Sequence, residues 1–206
     1  MDRLRLTCAE RREAARERLL DAARAIFAEK GYAAASVEDI AVAAGHTRGA
    51  FYSNFRGKAD VLFERLRRDQ DEAVEALQRI VGSHEPDEDA RRTMLAYWRR
   101  GTTQPASHPM WLDAQLQAAR DPQFRARFGA LLRDRNALVA ASIDAYAARA
   151  RMSLPLPTPV LALGLIALCD GMQSHGAAEA RSTADTLADA VRVGFITHTV
   201  VDRVRG

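Results

Sequence analysis

Thr47, Arg48, Gly49, Ala50, Tyr52, Ser53 and Asn54 form a run of small and polar side chains broken only by Phe51. No acidic residue lies between Ile40 and Ala59, whereas Arg48, Arg56 and Lys58 do. Residues of these types hydrogen-bond to a partner surface and let a backbone approach it closely. An arginine fork matches a guanine edge, and an alanine can touch a thymine methyl. Tyr52 and Lys58 suit phosphate oxygens, contacts that set register without reading sequence. Ser36 and Val37, at the start of the preceding segment, complete the candidate set for double-stranded DNA. Two positions keep a second reading: Tyr52 as a half-buried packing residue, and Glu38 as a solvated side chain rather than a base contact.

Charge points the same way. The net charge is only +3, but residues 1–70 carry 14 Lys+Arg against 11 Asp+Glu, and residues 71–206 carry 16 of each. The excess therefore sits in the first third, a modest footprint for a polyanion. Lys30 and Lys58 are the only lysines among 30 basic residues, so a lysine at position 58 suggests a need for a compact ammonium.

Catalysis finds no comparable set. His46, His84, His108, His175 and His198 show no metal-ligand spacing, and there is no GxSxG, P-loop or strand-linked GxGxxG. Asp170 and His175 are close in sequence but have no candidate nucleophile beside them. Cys8 and Cys169 form no CxxC, and Cys169 reads as a buried thiol. No cofactor, metal or enzymatic activity is expected. MDRLRLTCAE lacks the apolar core of a signal peptide, and the apolar run 160–169 is about half a bilayer span. The expectation is a cytoplasmic chain with no membrane partner.

The elements that must position these residues are helices, because no stretch alternates long enough for a sheet. Leu19, Leu20, Ala23, Ile26 and Phe27 recur at helical spacing over 10–29, followed by Gly31 as a C-cap. Ser36 and Asp39 form a capping pair. Val37, Ile40, Ala41 and Ala44 then give one inward face until Gly45 turns the chain. Thr47 caps a short helix over 48–54, pinned by Phe51 and Phe55. A long helix starts near Lys58, with Val61, Leu62, Leu66, Ala73, Leu77 and Ile80 inward. Further helices are predicted over 87–100, 107–119 (Ser107 as cap), from Asp121-Pro122 toward 151, 158–179 and 182–204. This gives an all-α chain of about nine helices, with a three-helix helix-turn-helix domain over 1–57 and a helical effector-binding and dimerisation domain over 58–206.

The stretch SVEDIAVAAGHTRGAFYSNFRGKADVL resembles the DNA-binding segment of the TetR/AcrR family of regulators. The match is carried by Ile40-Ala41, Ala44-Gly45, Gly49, Phe51-Tyr52, Asn54-Phe55, Lys58 and Leu62. His46 departs from it, standing where an apolar residue is usual, as does Ala59, where an acid is common. The resemblance implies a repressor whose C-terminal helices dimerise and hold an effector.

That C-terminal two-thirds holds both tryptophans. A pocket among its helices would draw on Trp98, Met110, Trp111, Phe124, Phe128 and Met172 as walls, and on Gln115, Asp113, Gln173 and His175 as orienting groups for a mainly apolar small molecule. Leu161, Leu165, Leu168 and Met172 make one stripe of the penultimate helix, and Gly164, Ala167 and Gly171 another. The last helix likewise has two apolar faces, with Leu187, Val191 and Phe195 on one side and Val193, Ile196 and Val200 on another. The last two helices are therefore expected to build a symmetric homodimer interface. Plain helical core is the competing reading for the large side chains. A helical module without DNA binding is the competing reading for the chain, and activation rather than repression stays open.

Overall fold

The computed structural model describes residues 7–83, 107–151 and 153–178, together with 190, 191 and 194. Among these residues all regular structure is helical: α1 Cys8–Ala34, α2 Val37–Ala43, α3 Arg48–Tyr52, α4 Lys58–Ser83, α5 His108–Arg120, α6 Pro122–Ala150 and α7 Thr158–Ala178. The helices predicted over 87–100 and 182–204 lie outside the described residues. No described helix is long and apolar enough to cross a membrane.

Local signals set most of the boundaries. Thr7 and Glu10 form a reciprocal capping box at the start of α1, with Glu10 N–H to Thr7 Oγ1 at 3.2 Å and Thr7 N–H to Glu10 Oε2 at 2.6 Å. Ser36 and Asp39 do the same for α2. Lys30, 2.7 Å from Asp39, and then Ser36 hold that carboxyl below the usual carboxylate range. Asp121 Oδ1 accepts the Gln123 and Phe124 N–H groups and opens α6, as predicted. Ser107 differs. Its hydroxyl is fully buried without a hydrogen-bond partner among the described residues, so it does not cap α5. Gly31 also differs, because α1 kinks there (φ +73°) and gains a further turn rather than ending.

The chain divides into two compact units: Met1–Arg68 with Pro109–Phe128, and Asp69–His108 with Gly129–Gly206. In the first, Leu19, Leu20, Ala23, Phe27, Ile40, Phe51, Val61, Leu62, Leu66 and Met110 are almost fully buried. Each large side chain removed from water contributes about 1.5–3 kcal/mol, which holds helices too short to persist alone. In the second, Leu77, Val139, Ile143, Tyr146, Leu161, Leu165 and Cys169 are buried, as is Arg135, which pairs with half-buried Asp170. Both guanidinium Nη atoms of Arg135 lie 2.8 Å from the Asp170 carboxylate. Ser174 Oγ donates to the Asp170 carbonyl at 2.9 Å and sits 3.3 Å from His108 Nε2, whose pKa burial lowers.

Candidate DNA-reading head

The turn between α2 and α3 is built by backbone chemistry that only a few residue types allow. Gly45 takes φ +69° with open space around it, and the His46 N–H reaches back to the Ala41 carbonyl at 2.8 Å. Thr47 Oγ1 then accepts the Ala50 N–H at 3.2 Å, starting α3. His46 is half-buried, and its Nε2 has no hydrogen-bond partner among the described residues.

Over this turn the candidate residues separate cleanly into outward and inward sets. Ser36, Thr47, Arg48, Gly49, Tyr52 and Ser53 are exposed, Tyr52 by 50%, while Val37, Ala50, Asn54 and Lys58 are half-buried. Phe51 beneath them is 0% exposed and contacts Phe55, ring centroids 5.8 Å apart. A five-residue helix thus presents polar side chains outward on one aromatic anchor. Arg48 Nε lies 3.7 Å from Glu38, and its guanidinium is 5.9 Å from the Tyr52 ring centroid. Glu38 therefore neighbours the arginine fork on the exposed surface.

Two arginines of α1 hold α3 from behind. Arg12 Nη2 donates to the Ser53 carbonyl at 3.0 Å, and Arg16 Nη1 to the Asn54 carbonyl at 3.1 Å. Cations at these carbonyls complement the negative end of the helix. Arg16 also lies 4.4 Å from the Phe55 ring centroid.

Lys58 requires a correction. Its Nζ donates to the carbonyls of Tyr32, Ala33 and Ala35 at 2.8, 3.1 and 3.0 Å, and stands 4.6 Å from the Tyr32 ring centroid. All three donors are occupied inside the protein, so the ammonium is not presented to phosphate. Burial lowers its pKa, yet three carbonyls favour the cation. The need for a compact ammonium is real, but its partner is the end of α1. Lys58→Ala is expected to lower the unfolding free energy by about 2 kcal/mol, because it leaves these carbonyls without their charged donor. Lys58→Arg should restore little of it, since a planar fork cannot converge on three carbonyls. Urea unfolding checks both, and an unchanged midpoint for Lys58→Ala would contradict the clamp.

The predicted effector set divides. Met110, Trp111, Phe124 and Phe128 are buried in the first compact unit, where Trp111–Phe128, Phe63–Phe124 and Tyr32–Phe124 ring centroids are 6.0, 4.7 and 5.9 Å apart. They form an aromatic core against the reading head. Met172 and Gln173 belong to the second unit and are half-buried. Gln115 is exposed, and Asp113 is engaged: its Oδ2 accepts the Tyr32 N–H at 2.7 Å, beside the Gly31 kink. Trp98 and the side chain of His175 lie outside the described residues.

A glycine turn, a capped short helix with an exposed polar surface and a buried aromatic anchor define a helix-turn-helix DNA-binding protein. Residues 19–64 match the family described as bacterial regulatory proteins, tetR family. The HTH-type transcriptional repressor AcnR of Corynebacterium efficiens is 27% identical over 164 residues, covering 78% of this chain and 80% of the relative. The HTH-type transcriptional repressor Rv1474c of Mycobacterium tuberculosis is 37% identical over 115 residues, 54% of each chain. The transcriptional regulator FadR of Bacillus subtilis, solved in complex with stearoyl-CoA, is similar in fold with a TM-score of 0.68 at 15% identity, covering 88% of this chain and 97% of that one. Residues 19–64 thus match the DNA-binding segment of the tetR family, and over most of its length the chain is similar to HTH-type transcriptional repressors.

Proposed function

We propose that the chain is a homodimeric repressor that holds a near-palindromic operator until a small, mainly apolar effector releases it. Residues 1–57 read the DNA and residues 58–206 hold the effector and the dimer contacts. The observation that carries this reading is the polar, acid-free outer surface of α3 over fully buried Phe51. Arg48 reads a guanine edge, and Ala50 sits against a base methyl. Thr47, Tyr52, Ser53, Asn54 and Ser36 bond phosphates, with Gly49 and Val37 allowing close approach. Lys58 positions α4 against α1 instead of touching DNA. Both named relatives are repressors, which supports repression over activation. The stearoyl-CoA complex of the FadR neighbour supports an effector with a large apolar part. Effector action is a population shift, limited by differential affinity for the two states. The relatives are regulators, and this reading gives the chain no catalytic step; a DNA partner places it in the cytoplasm.

Dimerisation is supported by α7. Val160 is 51% and Leu163 61% exposed, and Ala167 and Gly171 continue the same exposed stripe at helical spacing. Leu161 and Leu165 face inward at 1% each. Among the described residues the helix thus carries a second, exposed apolar face. The other predicted interface helix, 182–204, lies outside the described residues.

The test is fluorescence anisotropy on the duplex upstream of the protein's own gene, across a salt series, with sedimentation giving the mass. Tight binding by a dimer, weakening steeply with salt, is expected. Arg48→Ala should cost about a hundredfold or more on the preferred site and relax specificity at one base pair of each half-site. A monomer at micromolar concentration would remove the dimer. If this duplex does not bind, selection from random duplexes follows, and a failure there would move the assignment to a ligand-binding module without DNA.

A further inference from the structure

A groove of about 610 Å³ opens on the reading unit, lined from α1, the α3–α4 turn, α4 and the start of α6. Its charged lining is Arg16, Arg56, Arg67 and Arg127 with Asp60 and Glu64. Both acids are already neutralised. Arg127 Nη2 lies 2.8 Å from Asp60, and Arg16 Nη2 lies 3.2 Å from Glu64. These same guanidiniums cover the aromatic part of the lining, 4.4 Å from the Phe55 centroid and 4.3 Å from that of Phe63. Arg56 and Arg67 are exposed, and neither guanidinium has a hydrogen bond or ion pair among the described residues. The uncompensated charge of the groove is therefore two arginine forks.

Position and size narrow what those forks hold. Arg56 stands just before α4, and Arg67 lies about 14 Å along the helix from Lys58 at 1.5 Å per residue. Two forks with no acid left to pair them call for more than one negative charge. A ligand with several anionic oxygens supplies them, and guanidinium forks match phosphate oxygens in pairs. The volume falls in the range of about 300–1,000 Å³ typical of small-molecule sites. We infer that this groove is a phosphate-binding site, distinct from the base-reading surface of α3 and from the proposed apolar effector site. Its occupant is a phosphorylated small molecule laid along the first turns of α4; the other source of the same chemistry is the phosphodiester backbone of DNA.

The experiment has two arms and three proteins: wild type, Arg56→Ala/Arg67→Ala, and a control, Arg18→Ala/Arg120→Ala, which removes equal charge from exposed positions outside the groove. Because the replaced side chains are exposed, matching thermal unfolding curves are expected and checked first. In the first arm, inorganic tripolyphosphate is titrated calorimetrically at constant ionic strength without DNA. Saturable binding by wild type and control, weakened at least tenfold in the groove variant, supports a free phosphorylated ligand. In the second arm, the salt dependence of duplex binding is measured. A slope lower by about four in the groove variant (two forks on each of two protomers), without tripolyphosphate binding, supports backbone phosphate as the occupant. If the groove variant matches the control in both arms, the site is refuted. Failure of wild type to bind any duplex would defeat the regulator reading alone, because the first arm contains no DNA.

Discussion

Phe51→Ala is expected to lower the unfolding free energy by about 3–5 kcal/mol and to abolish operator binding at temperatures where the protein remains folded. The reasoning starts from the length of α3. Five residues cannot sustain a helix in water, so its orientation depends on what it buries. What it buries is Phe51, 0% exposed, against Phe55 at 5.8 Å and the edge of Tyr52 at 5.5 Å between ring centroids. Arg16, over Phe55 and bonded to the Asn54 carbonyl, then closes the far side. Removing the ring opens a cavity under the reading residues while leaving each of them in the sequence. Phe51→Leu preserves apolar volume and should cost only about 1–1.5 kcal/mol, with operator affinity within tenfold. Urea unfolding and anisotropy on the same samples separate the two effects. Normal operator affinity in folded Phe51→Ala would mean that α3 is held by something other than this ring.

What could be read from the residues alone were the interactions that close within one turn. The Ser36–Asp39 box, the Thr47 cap, the Gly45 turn and the Asp121 cap each involve residues at most five apart, and all are present. The Phe51 anchor was legible too, since one apolar residue in a polar run has only one direction to face. Contacts across long separations were not. Lys58 looked like a phosphate ligand because nothing in its neighbourhood announces carbonyls 23 to 26 positions earlier. Asp113 looked like a ligand-orienting group, although it caps the Tyr32 N–H 81 residues away. The effector set failed to gather for a related reason. Trp, Met and Phe are equally good as pocket walls and as core, and Met110, Trp111, Phe124 and Phe128 are core of the reading unit.

The same contacts say how the head is kept rigid. Tyr32 is where they converge: its N–H goes to Asp113, its carbonyl to Lys58, and its ring contacts Phe27 and Phe124. The kink at Gly31 turns the end of α1 so that one ammonium can collect three carbonyls there. Cβ-bearing residues rarely adopt that backbone, and an added Cβ would stand 3.5 Å from Asp113. Thus α1, α4, α5 and α6 brace the two short helices through a polar joint set in an aromatic core.

The second compact unit depends on a different kind of contact, and there the larger effect comes from breaking half of a pair. Arg135→Met is expected to destabilise the protein by about 3–5 kcal/mol. The Arg135 side chain is 4% exposed and that of Asp170 22%, so both charges have left most of their water and rely on each other. Methionine replaces the aliphatic stem, but it removes both guanidinium bonds to the Asp170 carboxylate. If the cost comes from that stranded charge, removing it should restore stability. Arg135→Met/Asp170→Leu should therefore lie within about 1–2 kcal/mol of wild type, since an apolar pair can replace a buried ion pair at little net cost. Urea unfolding of the two single variants and the double closes the cycle. Should the double variant be as unstable as the sum of the singles, the pair contributes through packing rather than charge, and the account given for this core would have to be replaced.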